Sequence, residues 1–178
     1  VKIVTIDSLM YKYFKKYTSR MKLSLELSNI QIERSIMVKA LHKVQQLYPK
    51  MKILSPKNSE FLLDEVKWIN SCQIEDVETY QQIDRIGRAT GGSGSPQKLT
   101  KNSDLRKAIF ELMETFNKML MESGFVTFSQ MNLMGLREAQ QMNHGKYTHI
   151  IIDESQDLTR VQLEFIKCIY REKPYSSI

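Results

Sequence analysis

The stretch YTHIIIDESQD, Tyr147 to Asp157, constrains this chain more than any other. His149, Ile150, Ile151 and Ile152 form an apolar, β-branched run without polar alternation, the pattern of a strand covered on both faces in a parallel sheet. The run stops on Asp153 and Glu154, which such a strand would deliver to its carboxyl end, where open α/β sheets form their ligand crevice. Two adjacent acids there suit a magnesium-dependent triphosphatase. One carboxylate holds Mg²⁺, usually through water, and its neighbour orients or deprotonates the attacking water. Gln156 follows with an amide able to sense a γ-phosphate, and Asp157 with a carboxylate able to fix the loop. Strand ends are also acidic simply because they are solvated, so the bare pair leaves both readings open.

With 178 residues, 42% of them hydrophobic, the chain is long enough to bury a core as one domain, or one domain with an insertion. Its 26 basic and 20 acidic residues give +6, a balance that favours polyanions without approaching a histone-like surface. Cys72 and Cys168 are far apart, and no His/Cys cluster has metal-ligand spacing. Both read as reduced, buried thiols of a cytosolic protein. The apolar runs are too short for a membrane span, and VKIVTID has neither a charged nor an apolar leader region. One absence matters: no G-x-x-x-x-G-K-[ST] occurs, so the backbone cradle and lysine that hold the phosphates of a triphosphate are not encoded here. The glycine cluster GGSGS, Gly91 to Ser95, follows no strand and reads as flexible linker, within 89–98.

In chain order, Val1 to Ile6 reads as a short strand and Leu9, Met10, Tyr13, Phe14 and Tyr17 as the apolar face of a helix capped by Asp7 or Ser8. KKYTSRMK follows, in which Lys15, Lys16 and Arg20 with Tyr17 either track a nucleic-acid backbone or solvate a helix end. Helices are then expected over Leu27–Tyr48, opened by Ser28; from Asn58 or Ser59 to Ser71; over Ile74–Ile86; over Asp104–Ser123, opened by Asn102 or Ser103 and stopped by Gly124; and over Phe128–Met142, with Thr127 and Gln130 as a capping box. Thr159 and Gln162 repeat that box ahead of a last helix, Val161–Tyr170. Arg85 and Arg88 either reach duplex phosphates as fork donors or cap a helix end. The helices at Leu27–Tyr48, Asn58–Ser71, Asp104–Ser123 and Phe128–Met142 each carry one apolar stripe and are expected to pack as a single bundle.

Four apolar residues, DESQD, and a following helix VQLEFI together resemble motif II, DExQD, of the UvrD/Rep-like superfamily 1 DNA helicases. VKIVTIDSLMYKYF resembles the same family's motif Ib, T-x-H before a helix that touches single-stranded DNA. Thr5 matches that motif, and Asp7 stands in place of the histidine. FLLDEVKWINSC with YQQIDRIGR looks like the family's helical insertion, subdomain 1B. The resemblance implies Asp153 for Mg²⁺, Glu154 as catalytic base, Gln156 coupling nucleotide to DNA, and Asp153, Glu154 and Gln156 together at the ATP. It also implies DNA contacts from Thr5, Asp7, Lys15, Lys16, Arg20, Arg85 and Arg88. The fold it implies is mostly α-helical, α/β overall: a 1B-like helical bundle over 19–145, bracketed by pieces of a RecA-like parallel sheet at 1–18 and 146–178. In that family the phosphate-binding loop and the arginine fingers belong to other parts of the motor. The chain then reads as a segment of an ATP-dependent helicase of the bacterial cytosol, with single-stranded or forked DNA and the remaining motor domains as partners. The rival reading is a non-enzymatic helical module that binds protein.

Overall fold

The computed structural model describes residues 3–85, 99–142 and 145–178. The protein is mostly helical, with one small parallel sheet, and it divides into two compact units. The first comprises Val1–Leu25, Ser71–Gln73 and Phe128–Ile178, and the second Glu26–Asn70 and Ile74–Thr127.

Unit 1 is built on three helices, α1 (Ile6–Arg20), α6 (Phe128–Gln140) and α7 (Arg160–Ile169). Helix α1 forms because Leu9, Met10, Tyr13 and Phe14 recur at one-turn spacing and are buried together. It starts where the hydroxyl of Thr5, not Asp7 or Ser8 as expected, accepts the Ser8 N–H at 3.2 Å. Its face meets α6 so closely that a β-carbon on Gly135 would lie 2.8 Å from the Met10 carbonyl oxygen. Glycine is therefore required at that crossing. Helix α7 opens with the expected capping box of Thr159 and Gln162 and buries Val161, Phe165, Ile166 and Ile169. The Phe165 ring packs edge-on against Tyr13, 5.0 Å between centroids. Burying each such side chain is worth about 1.5–3 kcal/mol, so the three helices hold one another in place.

Unit 2 contains α2 (Ile30–Leu47), α3 (Ser59–Ser71), α4 (Val77–Gln82) and α5 (Asp104–Glu122). Asn29, one residue beyond the expected Ser28, caps α2 through its side-chain oxygen, 2.9 Å from the Ile32 N–H. Ser103 caps α5 as expected, and Gly124 takes φ 84° just past its end, the left-handed stop that glycine supplies cheaply. Strands β1 (Glu26–Leu27) and β2 (Phe125–Val126) pair in parallel, Glu26 opposite Phe125 and Leu27 opposite Val126. The interior also holds charge. Glu33 is bound by Lys67 at 2.6 Å and by the Ser28 hydroxyl at 2.8 Å. Arg106, 2% exposed, donates to the carbonyls of Tyr80, Gln81 and Ile83 at the end of α4, at 2.5, 3.2 and 2.9 Å, and to that of Leu99 at 3.2 Å.

Four expectations are corrected. No strand forms over Ile3–Thr5, and Val1 and Lys2 lie outside the described residues. His149–Ile152 makes isolated parallel bridges only, Tyr147 with Tyr170 and His149 with Ser177, and Ile151 is 99% exposed. A strand apolar on both faces is stable only between neighbouring strands and under helices, and the described residues supply this run with isolated bridges only. Helix α4 covers six residues rather than Ile74–Ile86, ending where Arg106 takes its last carbonyls; Ile86 lies outside the described residues. Helix α6 packs on α1 and α7 in unit 1 instead of joining a single bundle with α2, α3 and α5. No helix among the described residues is long and apolar enough to cross a membrane.

Candidate functional site

The DESQD segment is a turn, not the end of a paired strand. Ser155–Asp157 forms one 3-10 turn, entered through Glu154 in the left-handed conformation at φ 53°, ψ 45°. That region is sparsely populated by residues with a β-carbon and costs about 1–3 kcal/mol, so the surrounding bonds must hold it. The Asp153 carboxylate accepts the Glu154 N–H at 3.0 Å. The Glu154 carbonyl accepts the Asp157 N–H at 3.0 Å, and the Ser155 carbonyl accepts the Leu158 N–H at 3.3 Å. The Gln156 amide donates to Glu154 Oε2. Asp153, Glu154, Gln156 and Asp157 are all exposed.

The turn therefore presents two exposed carboxylates on successive residues, with the Gln156 amide on an oxygen of the second. Exposed hard oxygen donors, few in number and open to water, fit Mg²⁺, which keeps several waters and takes only one or two protein carboxylates beside phosphate oxygens. Asp153 is the residue that would hold it. The described residues contain no cluster of three or more His, Cys, Asp or Glu able to cage a metal by itself.

The residues expected on DNA fall into three groups. Lys15 and Lys16 are exposed on α1, Lys15 over the rings of Tyr11 and Phe14 at 5.3 and 5.7 Å and Lys16 over Tyr13 at 5.2 Å. Arg20 lies over Tyr17 but is ion-paired to Glu138 of α6 at 2.9 Å, so its charge is already neutralised. Thr5 spends its hydroxyl on the cap of α1. Asp7 accepts from the side-chain amide of Gln162 at 2.8 Å, which gives its carboxylate a neutral donor rather than the capping duty expected of it.

Arg85 belongs to the interior of unit 2. Its guanidinium clamps Glu65 through Nε at 2.7 Å and Nη2 at 2.5 Å, and the Tyr80 hydroxyl donates to the same carboxylate at 2.9 Å. Glu65 is fully buried and the Arg85 side chain is 10% exposed. Burial and the Glu65 carboxylate hold the Tyr80 hydroxyl far above the usual phenol range. A fork already closed on a carboxylate is not open to a phosphate, so the fork-donor reading is replaced by a structural one. Arg88 lies outside the described residues, as does the Gly91–Ser95 cluster.

The cysteines are half-buried rather than buried, and burial pushes the Cys168 thiol up. What the sequence reading missed at the site is the partnership of Gln162 with Asp7. Its one visible signal was the capping box, which a glutamate satisfies equally well.

No curated protein and no solved structure matches the chain. The family model described as the UvrD/REP helicase N-terminal domain matches it over residues 1–178, the whole of its length, and the chain belongs to that family.

Proposed function

We propose that this chain is the part of an ATP-dependent DNA helicase or translocase that brings the motif II carboxylates to a bound nucleotide and guides DNA along its helices. The reading rests on family membership and is carried by one observation: Asp153, Glu154 and Gln156 project together from an exposed turn locked by its own hydrogen bonds. Asp153 holds Mg²⁺, which supplies charge neutralisation at the phosphates when bound. Glu154, its Oε2 fixed by Gln156, takes the proton of the water that attacks the γ-phosphorus as the bond to the β-phosphate breaks. Gln156 sits on that base and relays its position. The phosphate cradle comes from another part of the motor, since the sequence holds no G-x-x-x-x-G-K-[ST]. Residues 1–18 and 146–178 belong in this reading to a RecA-like motor domain and 19–145 to a 1B-like insertion. The exposed run at Ile151 takes its place in the motor's parallel sheet when further strands flank it. DNA, single-stranded or forked, lies along α1 with Lys15 and Lys16, and the setting is the bacterial cytosol.

Glu154→Gln in the full-length protein tests this. The amide keeps the size of the side chain but cannot accept the proton, so nucleotide binding persists while hydrolysis falls by about 10²–10⁴. Asp153→Asn also weakens magnesium-dependent binding. Unchanged DNA-stimulated hydrolysis in Glu154→Gln would remove the assignment.

A further inference from the structure

We infer that Gln162 is a positioning residue that links DNA binding along α1 to hydrolysis at the DESQD turn. The inference rests on the functional reading above and names the regulation of that same site.

Both ends of the Gln162 amide are in use, although the residue is buried, 7% exposed. Its oxygen accepts the Thr159 N–H at 2.8 Å and the Thr159 hydroxyl at 3.0 Å, closing the cap of α7. Its nitrogen donates at 2.8 Å to Asp7, 155 residues away in sequence, in the first turn of α1. A capping box needs only an acceptor at this position, and glutamate or glutamine serves. Only glutamine can also donate to a carboxylate, so the Asp7 bond accounts for the choice. Thr159 stands two residues beyond Asp157, whose N–H is held by the Glu154 carbonyl. A displacement of the α1 start thus passes through Asp7, Gln162 and Thr159 to the backbone of the base. Two binding events joined by such a bond are energetically linked, and each alters the other's affinity by the same factor.

The test uses the full-length protein and single-stranded DNA. Gln162→Glu keeps the acceptor for Thr159 but sets a carboxylate against Asp7. The expected result is unchanged ATP hydrolysis without DNA and about tenfold weaker stimulation by DNA, the size expected when a hydrogen bond to a charged group is lost. The ratio of DNA Kd values with and without adenylyl imidodiphosphate moves toward one. Adding Asp7→Asn to Gln162→Glu exchanges donor and acceptor between the two positions and restores both readouts. Stimulation and Kd ratio in Gln162→Glu within about twofold of the parent, or no restoration by the double substitution, would overturn the inference. So would equal loss of basal and stimulated hydrolysis with a lowered Tm, which marks a purely structural residue. Failure of the underlying reading shows separately, as full hydrolysis in Glu154→Gln, and would take this inference with it.

Discussion

Replacing Arg85 by methionine decides whether this arginine serves the fold or a nucleic acid. Glu65 is fully buried, and its carboxylate accepts two hydrogen bonds from Arg85 and one from Tyr80. Methionine fills most of the volume and keeps the contact with the Phe61 ring, 6.0 Å from the guanidinium, but withdraws both donors and the positive charge. Removing one partner of a buried pair costs about 3–5 kcal/mol, because the other charge is left uncompensated. At about 2–4 °C per kcal/mol for a chain of this length, Tm falls by about 10 °C. Thermal unfolding followed by circular dichroism at 222 nm reads the shift. Glu65→Gln in the same background recovers much of it, since the remaining carboxamide carries no charge and still accepts from Tyr80. DNA affinity, measured well below the transition, is unchanged in Arg85→Met. A Tm within about 2 °C of the parent together with a large loss of DNA affinity would refute the structural role.

Gly135→Ala gains up to about 1 kcal/mol of helix propensity but drives a methyl group against the Met10 carbonyl oxygen at 2.8 Å; overpacking of about 1–3 kcal/mol wins, and a raised Tm would contradict the α1–α6 crossing. Lys15→Ala with Lys16→Ala lowers the slope of log Kd against log salt for single-stranded DNA by about 1.4, at about 0.7 per phosphate contact, as read by fluorescence anisotropy; an unchanged slope excludes both lysines from the backbone. The 178-residue chain alone shows no ATP turnover above an Asp153→Ala control in a phosphate-release assay, because positioning and charge neutralisation need the missing cradle. The Thr79 N–H and then its hydroxyl hold Asp76 below its usual carboxylate value. Its cap on α4 therefore stabilises fully above about pH 4, the unfolded value, and is lost as the pH falls through the lowered folded value. Amide exchange at Thr79 should accelerate with the same midpoint, and Asp76→Ala should remove the dependence.

Local signals survived translation into structure where the cause is local. Spacing alone marks the α1 stripe, the Thr159–Gln162 box and the Gly124 stop, since each is decided within one or two turns of helix. DESQD was legible as a unit for the same reason. The run before it was legible as a propensity only: Ile150–Ile152 records that a strand is favoured, while the strands and helices that cover it are not recorded in those residues. An apolar stripe likewise states that α6 needs a partner and not which one, and the close crossing with α1 uses a missing side chain, that of Gly135. Glu65 sat unremarked between Asp64 and Val66 because its burial depends on Tyr80 and Arg85 folding over it. Strands β1 and β2, two residues each, fall below the length at which alternation is visible, although Leu23, Leu25 and Leu27 carried a trace of it.

The pairing of β1 with β2 has a topological consequence. These strands lie at the two sequence ends of unit 2, and neighbouring strands lie about 4.8 Å apart, so the two ends of the segment 28–124 are held side by side. Such a segment behaves as a cassette. Its ends stay together as long as Glu26 still finds Phe125 and Leu27 still finds Val126. The register of four residues thereby closes the longest loop that strand pairing spans among the described residues.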